Sequence, residues 1–197
     1  FDDNNVYTEL EKYSFDTRLP EIKAEKAYQY YKPVIQNKIE GIFEYKAVKR
    51  DSLGNGSYPR FTSYHSDNEY NLDYEDFFFR GGFSLQGRQV FSQSLDEGNA
   101  LVEVNTGKGR RFIARGKSFL FEDSVVVGRK AGITVFHGRD SITHPSVKML
   151  YYPNQKRLTA MKEKDGFSLR PFNASHYKMT IEADMIDWDL NSDSLNI

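Results

Sequence analysis

Two histidines and an aspartate have a spacing that could support metal chemistry. His137, Asp140 and His144 follow an H-x2-D-x3-H pattern, and imidazole and carboxylate groups are common ligands of divalent metals. However, His137 shares the alternation of Val135 on a predicted strand, and Pro145 beside His144 indicates a structural corner. Because a structural role explains the same residues, we predict no metal site here.

Four carboxylates crowd one stretch near the end of the sequence. Glu182, Asp184, Asp187 and Asp189 fall within eight positions, and paired carboxylates can catalyse glycoside hydrolysis. The first two alternate with apolar residues, as expected for the solvated face of a strand. We therefore predict no catalytic role for this group.

The triplet Gly116, Lys117 and Ser118 resembles the end of a phosphate-binding loop. The earlier glycine of such a loop would fall at Arg111, and strand patterns flank the triplet where a helix is required. The chain contains no Cys, which excludes thiolate metal sites and cysteine nucleophiles. We predict a protein that is not an enzyme and holds no cofactor.

Charge is unevenly distributed, although the net charge is only −1. Residues 105–164 carry 13 Lys and Arg against 4 Asp and Glu, whereas both flanking segments are acidic. This basic block is either neutralised by acidic neighbours or forms a face that attracts an anion. For the second alternative we predict a weak site for anionic glycan or lipopolysaccharide, and no nucleic-acid partner. Its residues would be Arg110, Arg111, Arg115, Lys117, Arg129 and Lys130.

Composition limits the kind of core that the chain can build. The 197 residues suit one or two domains. Only 39% are hydrophobic, and 13 Tyr and 15 Phe form a large part of that set, so the core must be small and aromatic. The sequence has no apolar run long enough for a membrane helix, so we predict no transmembrane segment. It begins with Phe1, which indicates a mature form or an excised segment, and we favour an excised segment of a longer protein.

The elements that position these residues are predicted to be strands. Apolar and polar residues alternate along 39–47, and similar patterns recur down the chain with turn signals between them. Residues 22–30 also alternate, although their Ala, Glu and Lys content favours helix. Gly54, Asn55 and Gly56 predict a hairpin turn. We predict an all-β fold of stacked bent strands, in a sandwich of the β-jellyroll or β-solenoid kind.

The N-terminal segment has a different pattern. Val6, Leu10 and Tyr13 lie at helical spacing behind capping residues. We predict a short helix within a lead-in of residues 1–18, followed by one β-layer domain over residues 19–197.

A short pattern recurs and predicts bent strands. In each copy two apolar or flat residues lie two positions apart, and another follows three positions later. A step of two keeps side chains on one strand face, whereas a step of three requires a bulge to recover that face. We predict that Ala24 and Ala183 face the interior at such corners. The copies are Ile22, Ala24 and Ala27; Ile142, His144 and Val147; Ile181, Ala183 and Ile186; and a looser copy from Phe112.

Aromatic residues are concentrated between positions 58 and 83. Buried, they would form the core that this composition needs. Exposed, they would form a platform for sugars or acyl chains. We favour the core.

The stretches IEADMIDWDL, IKAEKAYQYY and ITHPSVKMLYYPNQKRLTA resemble the repeat of periplasmic lipopolysaccharide-transport bridge proteins of the organic-solvent-tolerance type. That family forms a β-jellyroll groove that holds acyl chains, so the resemblance implies β-layers and export. RGGFSLQG, DSITHP and HYKMTIEADMIDW more closely resemble very large uncharacterised exported proteins of Bacteroidetes-type Gram-negative bacteria. The resemblance spans roughly residues 20–197. His144 and Pro145 stand where the transport family prefers Ala-Asp, so lipid carriage is not implied by itself.

These observations predict a non-enzymatic scaffolding β-module of an exported cell-envelope protein. It would lie in the periplasm or on the surface of a Gram-negative bacterium, with neighbouring β-modules of the same or another envelope protein as partners. Two alternatives stay open: a lipid- or lipopolysaccharide-binding β-jellyroll, which needs a continuous apolar groove, and a carbohydrate-binding module, which needs exposed aromatic rings.

Overall fold

The computed structural model confirms the all-β prediction. It describes residues 5–16, 18, 20–32, 35, 37–47, 58–70, 76–138, 140–164, 166–192 and 194–197. Apart from two short 3₁₀ turns, the regular elements of these residues are strands. The chain forms two compact units: unit 1 comprises Phe1–Leu72 and Arg80–Gly98, and unit 2 comprises Asp73–Phe79 and Asn99–Ile197. The hairpin turn predicted at 54–56 lies outside the described residues.

Unit 1 is an antiparallel arrangement centred on one long strand. This strand, β3, pairs with β2 along its first part, with β1 along its last part and with β4 on its other side. The ladder then continues through β5, β8 and β9. The strands are β1 Val6–Leu10, β2 Tyr13–Asp16, β3 Glu21–Tyr31, β4 Ile39–Lys46, β5 Arg60–Ser63, β6 Asn68–Tyr70, β7 Phe77–Gly81 (which straddles the boundary between the two sets of residues), β8 Ser84–Gln86 and β9 Gln89–Phe91.

The predicted N-terminal helix is wrong. Residues Val6–Leu10 form β1, which pairs in register with β3 from Val6 opposite Tyr31 to Leu10 opposite Ala27. Five cross-strand pairs outweigh the weak helical spacing, because tertiary pairing routinely overrides local propensity.

Unit 2 contains ten strands among the described residues. Strands β13 and β14 are its longest, and each divides its length between two partners. The first part of β13 pairs with β12 and its last part with β11, while β14 pairs first with β16 and then with β15. The strands are β10 Ala100–Thr106, β11 Gly109–Gly116, β12 Phe119–Phe121, β13 Val126–His137, β14 Asp140–Tyr152, β15 Arg157–Met161, β16 Phe172–Ala174, β17 Met179–Ile181, β18 Met185–Asp189 and β19 Leu195–Asn196.

Bulges bend the long strands where the step-of-three pattern predicts them. In β3 the register shifts between Ala24 and Ala27, and both side chains are fully buried. In β14, His144 and Val147 face β13 residues that are only two positions apart, so β14 bulges at this point. A strand that bends at a bulge can pass from one layer of a sandwich to the other. The predictions of stacked bent strands and of a buried Ala24 are confirmed.

The third copy of the pattern does not form a corner. Ala183 is half-buried and lies between β17 and β18 rather than inside a strand. The prediction for Ala183 is therefore wrong, since a sequence step alone does not supply the neighbouring strand against which a bulge forms.

Each unit has an aromatic core. In unit 1, Phe83 contacts Tyr31, Phe61 and Tyr70, with ring centroids 5.7–6.2 Å apart. In unit 2 the ring of Phe119 lies over Gly128, where a Cβ atom would come within 2.7 Å of it. Large side chains in unit 2 are almost completely buried, namely Trp188, Tyr151, Phe112, Phe119, Phe172, Met149, Leu158, Ile186 and Leu190. The interior of unit 2 is thus filled by its own side chains.

Candidate functional site

Arg110 and Arg111 lie on opposite faces of β11. Arg110 donates from Nε to Glu103 Oε1 at 3.0 Å, and its side chain is half exposed. Arg111 is only 5% exposed, and its guanidinium carbon lies 4.3 Å from the centroid of the Trp188 ring. Its Nη2 donates to the carbonyl oxygens of Leu190 at 2.8 Å and Ser192 at 3.0 Å. Arg111 is therefore a structural residue of the core, and little of it is accessible to an external anion.

The other predicted basic residues lie near a bulge of β13, which falls between Gly128 and Ala131. Arg129 and Lys130 are exposed inside it, and Lys130 has a positive φ of 53°. Lys117 is exposed in the turn between β11 and β12. Arg115 pairs in register with Gly132 of β13. Burial therefore separates Arg111 from the accessible basic residues, and Arg115 borders a cavity.

This cavity, which we call the arginine hollow, lies on the outer face of unit 2. Its volume is about 400 Å³. Ile113, Thr134, Thr143 and Asn173 are register partners across β11, β13, β14 and β16, so their side chains share one face of the sheet. The residues that line the hollow are Ile113, Arg115, Gly132, Ile133, Thr134, Thr143, His144, Pro145, Arg170 and Asn173.

His144 connects the bulge of β14 to the segment that carries Arg170. The backbone N–H of Ser146 donates to His144 Nδ1 at 3.1 Å, so the ring proton lies on Nε2, which contacts the carbonyl oxygen of Arg170 at 2.7 Å. Burial lowers the pKa of His144 below its usual value. The neutral imidazole therefore satisfies both contacts and fixes the backbone at Arg170.

The histidine–aspartate spacing does not converge on one point. His137 packs edge-on against Trp188, with centroids 6.1 Å apart. Asp140 accepts hydrogen bonds from the backbone of Ser141 and from Ser175 Oγ, whereas His144 is buried. Within the described part of the chain, no group of three or more His, Asp and Glu residues is arranged to hold a metal ion.

The predicted acidic group is partly paired. Asp187 accepts two hydrogen bonds from Arg157, at 2.9 and 2.7 Å, and one from Thr159 Oγ1 at 2.9 Å. These contacts, the Arg157 pair first, lower the pKa of Asp187. Glu182 is exposed and lies 3.7 Å from the ammonium group of Lys162. An ionised Asp187 held by Arg157 fits a structural ion pair on the β15–β18 ladder.

Unit 1 contains a larger open cavity, which we call the tyrosine groove. Its volume is about 1000 Å³. The rings of Tyr7 and Tyr58 are 39% and 53% exposed. Tyr58 lies over Gly87, where a Cβ atom would come within 3.1 Å of the ring, and the φ of +61° at this position also favours glycine. The groove is lined by Val6, Tyr7, Thr8, Gln29, Phe43, Tyr58, Pro59, Phe61, Leu85, Gln86, Gly87, Arg88 and Gln89.

Polar groups are interleaved with the rings of the tyrosine groove. Gln29 is 1% exposed, and its amide donates to the carbonyl oxygens of Tyr7 and Tyr30 and accepts from Thr8 Oγ1. Tyr7 stacks on Tyr30 with ring centroids 4.4 Å apart and an interplanar angle of 12°. These contacts fix the orientation of the Tyr7 ring beside the groove.

Sequence reasoning missed most residues of both cavities. It singled out Arg115, His144 and Pro145 and included Tyr58 and Phe61 in the aromatic stretch of residues 58–83, but it did not find Arg170, Asn173, Tyr7 or the Leu85–Gln89 hairpin. Those residues come from distant segments that only strand pairing brings together.

No family model, curated protein or solved structure matches this chain. Nor does the part that the structure describes contain a helix with the length and hydrophobicity that a membrane crossing requires. Functional inference therefore rests on the geometry of the two units.

Proposed function

We propose that the chain is a non-enzymatic structural β-module of a longer exported cell-envelope protein. It would lie in the periplasm or at the surface of a Gram-negative bacterium and pack against neighbouring β-modules of the same or another envelope protein. The observation that supports this proposal is the filled interior of unit 2, in which large side chains such as those of Trp188, Phe112 and Phe119 are less than 2% exposed.

A filled interior fits a scaffold better than a lipid carrier. Close-packed protein interiors leave few voids larger than a water molecule, whereas acyl chains need a continuous dry groove. The large side chains of Phe119, Val135 and Met149 support this distinction, since all three are buried in unit 2. The transport-type alternative would require these side chains to leave an open channel.

A fluorescent fatty-acid titration tests the scaffold proposal. We expect no saturable binding by the chain. Stoichiometric binding that lipopolysaccharide competes away would overturn the proposal in favour of the transport alternative. Two variants would locate any such site. Phe121→Asp removes a ring of unit 2 whose centroid lies 4.8 Å from that of Phe79. Phe43→Asp removes a ring that lines the tyrosine groove of unit 1.

Carbohydrate binding by unit 1 is a second candidate, and the tyrosine groove favours it. Half-exposed tyrosine rings lie beside the amides of Gln86 and Gln89 and the guanidinium of Arg88. Ligand sites typically combine an apolar lining with a few polar groups that fix orientation. Because polar side chains interrupt the lining, the groove suits the mixed surface of a sugar better than an acyl chain.

Binding to a panel of neutral oligosaccharides, measured by calorimetry, tests this candidate. We expect Tyr58→Ala and Tyr7→Ala each to weaken binding by about tenfold, as for loss of a well-placed ring. Tyr177→Ala is the matched control, because Tyr177 is 70% exposed and belongs to unit 2. No binding to any member of the panel, or equal losses in the control, would exclude the candidate.

A further inference from the structure

The arginine hollow of unit 2 has the properties of a small-ligand site that is independent of the tyrosine groove. It combines two guanidinium groups, from Arg115 and Arg170, and none of the described residues that line it is acidic. The carbonyl of Arg170 is held by His144, so the backbone that carries one of the two cations is fixed by the core. The hollow is therefore electropositive and partly preorganised.

Several polar side chains at the hollow have no hydrogen-bond partner among the residues that the structure describes. Thr134, Thr143, Asn173 and Arg115 make no side-chain hydrogen bond or ion pair with the described residues. The guanidinium carbon of Arg170 lies 5.0 Å from the centroid of the Phe167 ring, and its side chain likewise makes no hydrogen bond or ion pair with the described residues. Hydroxyl and amide groups each offer both donors and acceptors, whereas guanidinium groups only donate. The hollow thus presents an unused set of hydrogen-bonding groups around two positive charges.

The floor of the hollow is shaped by Gly132. A Cβ atom at this position would lie 3.3 Å from the carbonyl oxygen of Pro145 and 3.8 Å from that of Arg115, so the absence of a side chain leaves space at the lining of the hollow. Ile113 and Pro145 add apolar area beside it. Among the described lining residues, the only aromatic ring is that of the buried His144, which is not available to stack on a nucleobase.

We propose that the arginine hollow binds an anionic sugar unit. The carboxylate or phosphate of the sugar pairs with Arg115 and Arg170, and its hydroxyl groups bond to Thr134, Thr143 and Asn173. Arginine suits both anions because its planar donors match carboxylate and phosphate geometry. The volume of about 400 Å³ is near the lower end of the range for small-molecule sites, which suits one sugar ring.

Amide chemical shifts of the ¹⁵N-labelled chain, followed during titration at low salt, test the proposal. The probes are glucuronate, glucose 6-phosphate, glucose and inorganic phosphate. We expect saturable shifts at Gly132, Thr134 and Thr143 with at least one of the two anionic sugars, and weakening as salt rises, because exposed charges are screened. The two anionic probes distinguish a carboxylate from a phosphate ligand. Absence of shifts with both anionic sugars would overturn the proposal. Equal affinity for inorganic phosphate or for glucose would overturn the assignment of an anionic sugar.

Matched variants distinguish binding in the hollow from non-specific attraction to the positive charge of unit 2. Arg115→Gln and Arg170→Gln should each weaken binding by about tenfold or more, as expected for loss of a charge-assisted hydrogen bond. Thr143→Val keeps both charges and removes one hydroxyl, and should weaken binding of the sugar without weakening that of inorganic phosphate. Arg129→Gln is the control, because Arg129 is exposed but does not line the hollow. An equal loss in Arg129→Gln would show non-specific attraction and overturn the proposal.

Discussion

Replacing Arg111 by Met tests whether this arginine is a core residue rather than part of an anion site. The substitution removes two hydrogen bonds, to the carbonyl oxygens of Leu190 and Ser192, and the cation–π contact with Trp188. Each hydrogen bond from a charged donor contributes about 1.5–3 kcal/mol, and the cation–π contact about 0.5–2 kcal/mol. Met retains apolar contact with the Trp188 ring, and loss of the buried charge removes a desolvation cost of several kcal/mol. We expect a net decrease of about 3 kcal/mol in the free energy of unfolding.

Urea unfolding followed by tryptophan fluorescence measures this effect. Trp188 is the single Trp of the chain and is completely buried in unit 2, so its emission reports on that unit. Arg110→Met is the matched control, because Arg110 is adjacent in sequence but half exposed and paired with Glu103. Surface ion pairs contribute about 0–1 kcal/mol, so the control should change little. Equal effects of the two substitutions would refute the structural role assigned to Arg111.

Three further predictions follow from burial and titration. Ala24→Arg should decrease the free energy of unfolding by about 3 kcal/mol or more, because it buries an unpaired charge at the β3 bulge. Ala183→Arg should decrease it by less than about 1 kcal/mol, because this position is half-buried. The opposite ranking of the two variants in urea unfolding would contradict the fold. Burial lowers the pKa of His144 below 6.5, so protonation of this group should not affect the stability of unit 2 above pH 6.5 and should decrease it as the pH falls below 6.5. His144→Gln should make the stability of unit 2 less dependent on pH in this range, and an unchanged pH dependence would contradict the neutral, buried state of His144. Hydrogen bonds from Ser94 Oγ, the Gly98 backbone and Ser66 lower the pKa of Asp96 to about 2. The contribution of Asp96 to the free energy of unfolding should therefore be present above pH 3.8 and be lost as the pH falls towards 2. An NMR titration of the Asp96 carboxyl with a midpoint near 3.8 would disprove these contacts.

The bent strands could be predicted because their signal is local. A step of two followed by a step of three identifies Ala24 and Ala27, and this parity change is the same one that the β3 bulge produces. The same step fails at Ala183, where the chain leaves β17 before β18 begins. The pattern specifies where a strand can bend, but a neighbouring strand is needed for the bend to form.

The cavities could not be predicted because their residues meet through long-range pairing. Asn173 joins the arginine hollow because β16 pairs with β14 at Thr143, thirty positions earlier in the chain. Arg110 and Arg111 look equivalent in the sequence, yet strand alternation places one outside and the other against Trp188. Which of two adjacent arginines is buried depends on the register of β11, and the sequence pattern of that segment does not specify it.

Native mass spectrometry of the chain after export into the periplasm of a Gram-negative host tests the central proposal most directly. A lipid carrier exposed to envelope lipids would retain ligand. A structural module would not, and the described interior of unit 2 is filled by Trp188, Tyr151, Phe119 and their neighbours. The structural-module proposal predicts the mass of the bare polypeptide, 22.9 kDa. A stoichiometric lipid or lipopolysaccharide adduct that persists through purification would contradict it.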